Sequence, residues 1–204
     1  MHLLEQRFLG IVILLLLALL VVVKRVATGS ILDAPKGNWL VQTVNVFNLL
    51  FLLIVNPVTA LALVTRRLAA IDPTYIAIGS PWIRMPLEAA GLATYVSGFL
   101  LMAWALITLG RNYQLGGSAP RTEDRMVTGG PYRTIRHPMY TAALSISLGL
   151  ACLIQSWALF CVFAIYLVLI LALIPVEEDG LRRAYGDRYA AYRQEAKSLV
   201  PFVY

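Results

Sequence analysis

Charge is what this sequence has least of. Only 14% of its 204 residues are Asp, Glu, Lys or Arg, and 59% are hydrophobic. A soluble domain carries about 25% charged residues, so this composition excludes an ordinary water-soluble fold and fits a small integral membrane protein of one compact domain. Histidine and cysteine are scarce too, with two of each. No H-E-x-x-H or C-x-x-C spacing occurs, which argues against a protein-bound metal. Cys152 and Cys161 sit inside apolar runs, far from any base. They read as lipid-buried thiols rather than nucleophiles, with a disulfide left open. A glycine-rich nucleotide loop is missing, and Gly116-Gly117 alone indicates nothing. The net charge of +6 is scattered beside apolar segments. That suits membrane-interface anchors and not a nucleic-acid footprint.

What is present in quantity is long hydrophobic runs. Five stand out, at about Leu9–Val23, Trp39–Val64, Leu87–Leu109, Tyr140–Ile154 and Trp157–Val176. A spanning helix needs about 20 apolar residues, so the second, third and fifth qualify, and the first and fourth need their flanks. The first has the length of a signal peptide, but no small-x-small cleavage site follows it. The expected fold is all-α and membrane-integral, with about five transmembrane helices. Gln155-Ser156 reads as the tight turn of a helical hairpin formed by the last two, and an amphipathic cytoplasmic tail helix follows. Residues 1–109 form the N-terminal transmembrane helices, and 110–204 hold the chemistry-bearing motifs of the same domain.

A hairpin returns the chain to its starting side, so the loop 110–139 and the tail 177–204 must face one compartment. Placing them in the cytoplasm, with the N-terminus outside, puts 13 basic residues inside, among them Lys24, Arg25 and Lys36. Outside lie 4: Arg7, Arg66, Arg67 and Arg84. The positive-inside rule favours this orientation, with Arg66-Arg67 dissenting. The short loops point to a bacterial or archaeal inner membrane, or to the endoplasmic reticulum in a eukaryote. Asn45, Asn48 and Asn56 lie at helical spacing in the second span, with Pro57 beside the last. They suit hydrogen bonding between helices or a polar lining to a substrate cleft.

The loop before the fourth span reads EDRMVTGGPYRTIRHPMY. Gly129-Gly130-Pro131 signals a turn, and Pro138 suits a first helical turn. Arg136 and His137 then stand at a helix N-terminus, where free N–H groups favour anions and cations are opposed by the macrodipole. The stretch is either the cationic collar of a membrane helix or a ligand site. In the tail, Glu178 pairs with Arg182 and Asp179 with Arg183 at i+4, as surface pairs. Glu177 has no such partner and shares a stripe with Leu181, Tyr185, Tyr189 and Tyr192. It therefore turns inward, towards the arginine collar or a cationic ligand. Gly180 and Gly186 are places where the tail helix is open to disturbance.

The ordered set Gly130, Tyr132, Arg136, His137, Pro138, Tyr140, then a hairpin, Glu177-Glu178, Tyr185-Gly186, Tyr189, Tyr192 and Pro201-Phe202 resembles the isoprenylcysteine carboxyl methyltransferases and the related phospholipid methyltransferases. The resemblance covers about residues 105–204. It implies S-adenosylmethionine as methyl donor, bound on the cytoplasmic side. Carried across residue by residue, Asp124, Arg125, Met126 and Val127 supply mainly backbone contacts to the cofactor. Tyr132, His137, Pro138, Met139 and Tyr140 line it, and Glu177 meets its polar end, with Arg136 and Glu177 as the catalytic candidates. No metal is implied. Glu177 suits the ammonium of the cofactor, and Arg136, His137 or free helix N–H groups suit its carboxylate. Leu173 replaces the arginine that family members use to hold a prenylcysteine carboxylate, and Ala142 replaces a small residue that is often Gly. The acceptor is thus a hydrophobic or membrane-partitioned small molecule, lipid or lipidated substrate, among membrane lipids and without nucleic acid. The alternatives are an NADPH-dependent reductase of sterol-like lipids, which shares a similar tail, and a non-catalytic membrane scaffold.

Overall fold

Each of the five apolar runs becomes helical in the computed structural model, which describes residues 5–30, 38–76, 78–113 and 125–200. The readings placed on Lys36, Gly116-Gly117, Asp124 and Pro201-Phe202 lie outside the described residues. Helix α1 spans Gln6–Thr28. The second run divides into α2 (Trp39–Leu50), a π turn (Phe51–Val55) and α3 (Asn56–Val64). A short α4 (Leu68–Ile71) precedes α5 (Pro81–Leu109). Then come α6 (Pro138–Ile154), α7 (Trp157–Tyr185) and α8 (Asp187–Glu195). Four of these segments, α1, α2–α3, α5 and α7, are long and apolar enough to cross a membrane, and α6 is shorter at 17 residues. Large side chains such as Leu15, Leu19, Leu53, Leu100, Ile107 and Val168 stand more than half exposed. A protein surface of that kind needs lipid against it. The chain is an integral membrane protein.

The local chemistry explains where the helices start, bend and meet. Asn38 caps α2 by accepting the Val41 N–H at 3.0 Å, and Ser156 caps α7 by accepting that of Leu159 at 3.3 Å. Pro57 lacks an N–H and crowds the carbonyl four residues back. The helix widens into the π turn just ahead of it, and the Asn56 side chain donates to the Phe51 carbonyl at 2.9 Å. The Tyr95 hydroxyl of α5 in turn donates to Asn56 Oδ1 at 2.8 Å. Helices α5 and α6 touch backbone to backbone. A Cβ placed on Gly149 would lie 2.5 Å from the Tyr95 nitrogen, and one on Gly98 2.9 Å from the Ala142 carbonyl. This pairing fixes α6, and with it the start of the hairpin.

The hairpin turns at Gln155, whose φ of 56° is left-handed, and Ser156. The 72–76 segment straps that turn: Ile76 N–H donates to the Gln155 carbonyl at 2.7 Å and Trp157 N–H to that of Thr74 at 3.2 Å. At the other end, α7 runs unbroken through Pro175 and Gly180, so only one of the two expected disturbances occurs. It falls at Gly186, where φ is 55°. Helix α8 then doubles back, and residues 197–198 lie alongside 134–137. Lys197 N–H donates to the Thr134 carbonyl at 3.0 Å, Arg136 N–H to that of Lys197 at 2.7 Å, and His137 N–H to that of Ser198 at 3.1 Å. The loop and the tail therefore share one end of the bundle, as the hairpin requires. At the opposite end Arg66 meets Glu5 of the α1 approach at 2.6 Å, which gives one of the two dissenting arginines a local partner.

Candidate active site

A cavity of about 560 Å³ opens at the shared end of loop and tail and reaches down between the helices. Arg125, Met126, Val127, Tyr132, Arg136, His137, Pro138, Met139, Tyr140 and Glu177 all line it. Of the catalytic and cofactor-binding candidates singled out from sequence, only Asp124 is not placed, because it falls outside the described residues. The stripe that carries Glu177 continues along the wall through Leu181, Tyr185, Tyr189 and Tyr192, the last two folded in by the Gly186 break.

Glu177 is about one-fifth exposed and faces this space. Its Oε2 accepts the Tyr140 hydroxyl at 2.6 Å and lies 3.7 Å from His137 Nδ1. The His137 ring stacks on Tyr140, with centroids 5.5 Å apart and planes 13° from parallel. The other ring nitrogen of His137 reaches Glu178 Oε1 at 3.3 Å, so the imidazole stands between two carboxylates.

Glu178 corrects the sequence reading. It is not in a surface pair with Arg182 but is buried at 6% exposure. Arg136 donates to its Oε1 from Nε at 2.8 Å and from Nη2 at 2.7 Å, and Arg193 Nε stands 3.3 Å from its Oε2. The i,i+4 rule sees only neighbours on one helix, and the true partner sits 42 residues earlier, on the loop. The Asp179–Arg183 pair does form on the surface. Arg136 also donates from Nη1 to the carbonyls of Arg193 and Ala196, so its guanidinium is largely committed to holding loop and tail together. The backbone N–H groups of Arg136 and His137 are likewise taken by Lys197 and Ser198. They are not free for an anion, as the isolated helix start had suggested.

Burial dominates the tyrosines around the cavity. It pushes the Tyr192 phenol up to about 12, with Arg136 opposing. Burial also raises Tyr132 and Tyr189, helped by the negative charge of Glu177 at Tyr132 and of Glu178 at Tyr189. All three are neutral hydrogen-bonding groups at physiological pH. Tyr192 donates its hydroxyl to the Tyr132 carbonyl. The buried Tyr189 hydroxyl has no partner among the described residues.

The N-terminal helices, for which sequence reasoning offered only the asparagines of the second span, build the deeper half. Leu17 and Val21 of α1, Asn45 and Asn48 of α2, the π turn, and Met102 and Leu106 of α5 all line it. The three asparagines divide: Asn56 joins helices through Tyr95, whereas Asn45 and Asn48 face the cavity, Asn48 accepting the Tyr166 hydroxyl. Their i,i+3 spacing in an apolar run was the one legible signal of this wall. Leu173 is wholly buried in the core and is not part of it.

The family model for phospholipid methyltransferases matches residues 87–188, from α5 to the start of α8. The chain belongs to the phospholipid methyltransferase family. Among curated relatives of this family member is protein-S-isoprenylcysteine O-methyltransferase B of Arabidopsis thaliana, 34% identical over 115 residues, covering 55% of this chain and 58% of the relative. Another is the cobalt-zinc-cadmium resistance protein CzcN of Cupriavidus metallidurans, 30% identical over 112 residues, covering 53% and 52%. The matches thus span a little over half the length of these relatives. The solved structure of a eukaryotic intramembrane Ras methyltransferase, ICMT, superposes with a TM-score of 0.52 at 19% identity, covering 80% of this chain and 74% of that one. The phospholipid methyltransferase family member shares that helical membrane fold.

Proposed function

We propose that this protein transfers a methyl group from S-adenosylmethionine to a hydrophobic acceptor that partitions into the membrane. One observation carries the reading: a carboxylate, a set of buried tyrosines and the Arg125–Val127 and His137–Tyr140 segments converge on a single cavity whose other end is an apolar space between spanning helices. The residues fit the cofactor. Its volume lies in the range of ordinary small-molecule sites. Glu177 supplies a counter-charge for an ammonium, and Tyr132 and Tyr140 flat faces for a ring.

When bound, S-adenosylmethionine supplies an electrophilic methyl on a sulfonium. The work of this chain is positioning. Tyr140 fixes the Glu177 carboxylate through its hydroxyl, and His137 stacks behind Tyr140 and is steadied by Glu178. Arg136 acts as a positioning residue, clamping loop to tail so that both walls keep their places. The apolar lining excludes water and admits an acceptor laterally, and holding two reactants in line supplies much of the rate. We infer that α6 crosses the bilayer with the help of its flanks, that loop and tail are cytoplasmic, and that the acceptor is an amphiphile of the isoprenylcysteine, lipid amine or thiol class. The names of the isoprenylcysteine relatives support this, and Leu173 means that any acceptor carboxylate is held by another group.

Calorimetry with the purified full chain tests the reading. S-adenosylmethionine should bind, NADPH should not, and Glu177→Gln should weaken binding at least tenfold. Binding of NADPH alone, or unaltered cofactor affinity in Glu177→Gln, would overturn the assignment. Mass spectrometry of membrane extracts after incubation with methyl-labelled cofactor then identifies the acceptor.

A further inference from the structure

A second cavity, of about 500 Å³, lies on the other side of the Arg136–Glu178 pair, outside the site described above. Its rim carries Arg136, Arg182, Arg193 and Lys197 against Glu178 and Asp179. Arg136 and Arg193 already face Glu178, and Asp179 is held by Arg183. Arg182 and Lys197 therefore bring positive charge with no acidic partner among the described residues. Ser198 also borders this space; the residue is 6% exposed and its buried hydroxyl has no hydrogen-bond partner among the described residues.

The floor is apolar, made by Ile174 and Pro175. On α7 the positions 168, 171, 175, 179 and 182 follow at steps of three or four, so they share one face. Val168 and Leu171 on that face are exposed at 65% and 42%. A lipid-facing apolar track thus leads up to a cationic rim at the membrane boundary.

We propose that this outer cavity binds the phosphodiester headgroup of an anionic phospholipid, with its acyl chains along the Val168–Leu171 face. A phosphate monoanion matches the unpaired Arg182 and Lys197, and its oxygens can accept the Ser198 hydroxyl. The apolar track distinguishes a lipid from a soluble anion, which would have no use for it. Arg136 borders both cavities, so the lipid sits directly behind the clamp that holds the main site. The assignment does not depend on methyl transfer.

The test uses the full chain in detergent with phosphatidylglycerol and phosphatidylcholine in competition, the bound lipid being counted by native mass spectrometry. Wild type should retain phosphatidylglycerol with about a tenfold preference. The Arg182→Gln, Lys197→Gln double variant should lose that preference, and each single variant about threefold of it, allowing for screening at an exposed site. Both side chains are exposed, so unfolding temperature and binding to the main cavity should stay unchanged. Equal retention of the two lipids, or a preference that survives the double variant, overturns the proposal. Release of the lipid by millimolar inorganic phosphate would assign the site to a soluble phosphate instead.

Discussion

Removing Glu178 should do more damage than removing Glu177, although the second faces the ligand cavity and the first does not. In Glu178→Ala the Arg136 side chain, only 10% exposed, loses the carboxylate that neutralises it. His137 and Arg193 lose the same partner. Breaking a buried ion pair from one side costs about 3–5 kcal/mol, because a charge is left unpaired in a low-dielectric setting. For a chain of this size that corresponds to a fall of roughly 10 °C in unfolding temperature. Glu177→Gln removes a group that is about one-fifth exposed and keeps an oxygen for the Tyr140 hydroxyl, so its stability cost should stay below about 1 kcal/mol. The assay is thermal unfolding in detergent followed by tryptophan fluorescence, with S-adenosylmethionine calorimetry on the same preparations. Glu178→Ala should shift the transition, and Glu177→Gln should leave it in place while losing the cofactor. Equal shifts in the two variants, or a stable Glu178→Ala protein, would refute the division of labour between these adjacent carboxylates.

Tyr140→Phe removes the hydroxyl that orients Glu177 and should weaken cofactor binding about tenfold, measured by calorimetry, with little change in unfolding temperature. Gly149→Ala places a methyl against the Tyr95 backbone and should cost about 1–3 kcal/mol by forcing α5 and α6 apart, visible as earlier thermal unfolding. The raised Tyr192 pKa gives a pH signature. Because the folded state holds this phenolic proton more tightly than the unfolded chain, its contribution is complete below the ordinary value of 10.0 and is lost as pH climbs to about 12. Unfolding temperature should therefore decline across that alkaline window, and Tyr192→Phe should flatten the decline.

The helices were legible because hydropathy in a membrane chain is nearly a direct statement of structure: Trp39–Val64 and Trp157–Val176 can be little else. Glu177 was legible for a subtler reason, since it lacked an i+4 partner and shared a face with tyrosines. Glu178 was misread because its local neighbour Arg182 offered a plausible pairing, while the contact that wins is non-local and depends on the doubling back at Gly186. The same non-local strand contact consumed the N–H groups of Arg136 and His137, which a helix start considered alone leaves open. The deeper wall was hidden because Leu17, Met102 and Leu106 are ordinary apolar residues, and no pattern marks which face of a membrane helix meets a hollow and which meets lipid.

The strand-like contact between residues 134–137 and 197–198 has a consequence for biogenesis. One wall of the main chamber, and the carbonyls that grip Arg136, come from residues that leave the ribosome only after the α6–α7 hairpin. A nascent chain whose hairpin had already been made would still lack that wall. The chamber would close only when residues 187–198 swing back onto the loop, and bulk crowding Lys197 or Ser198 would leave it half-built.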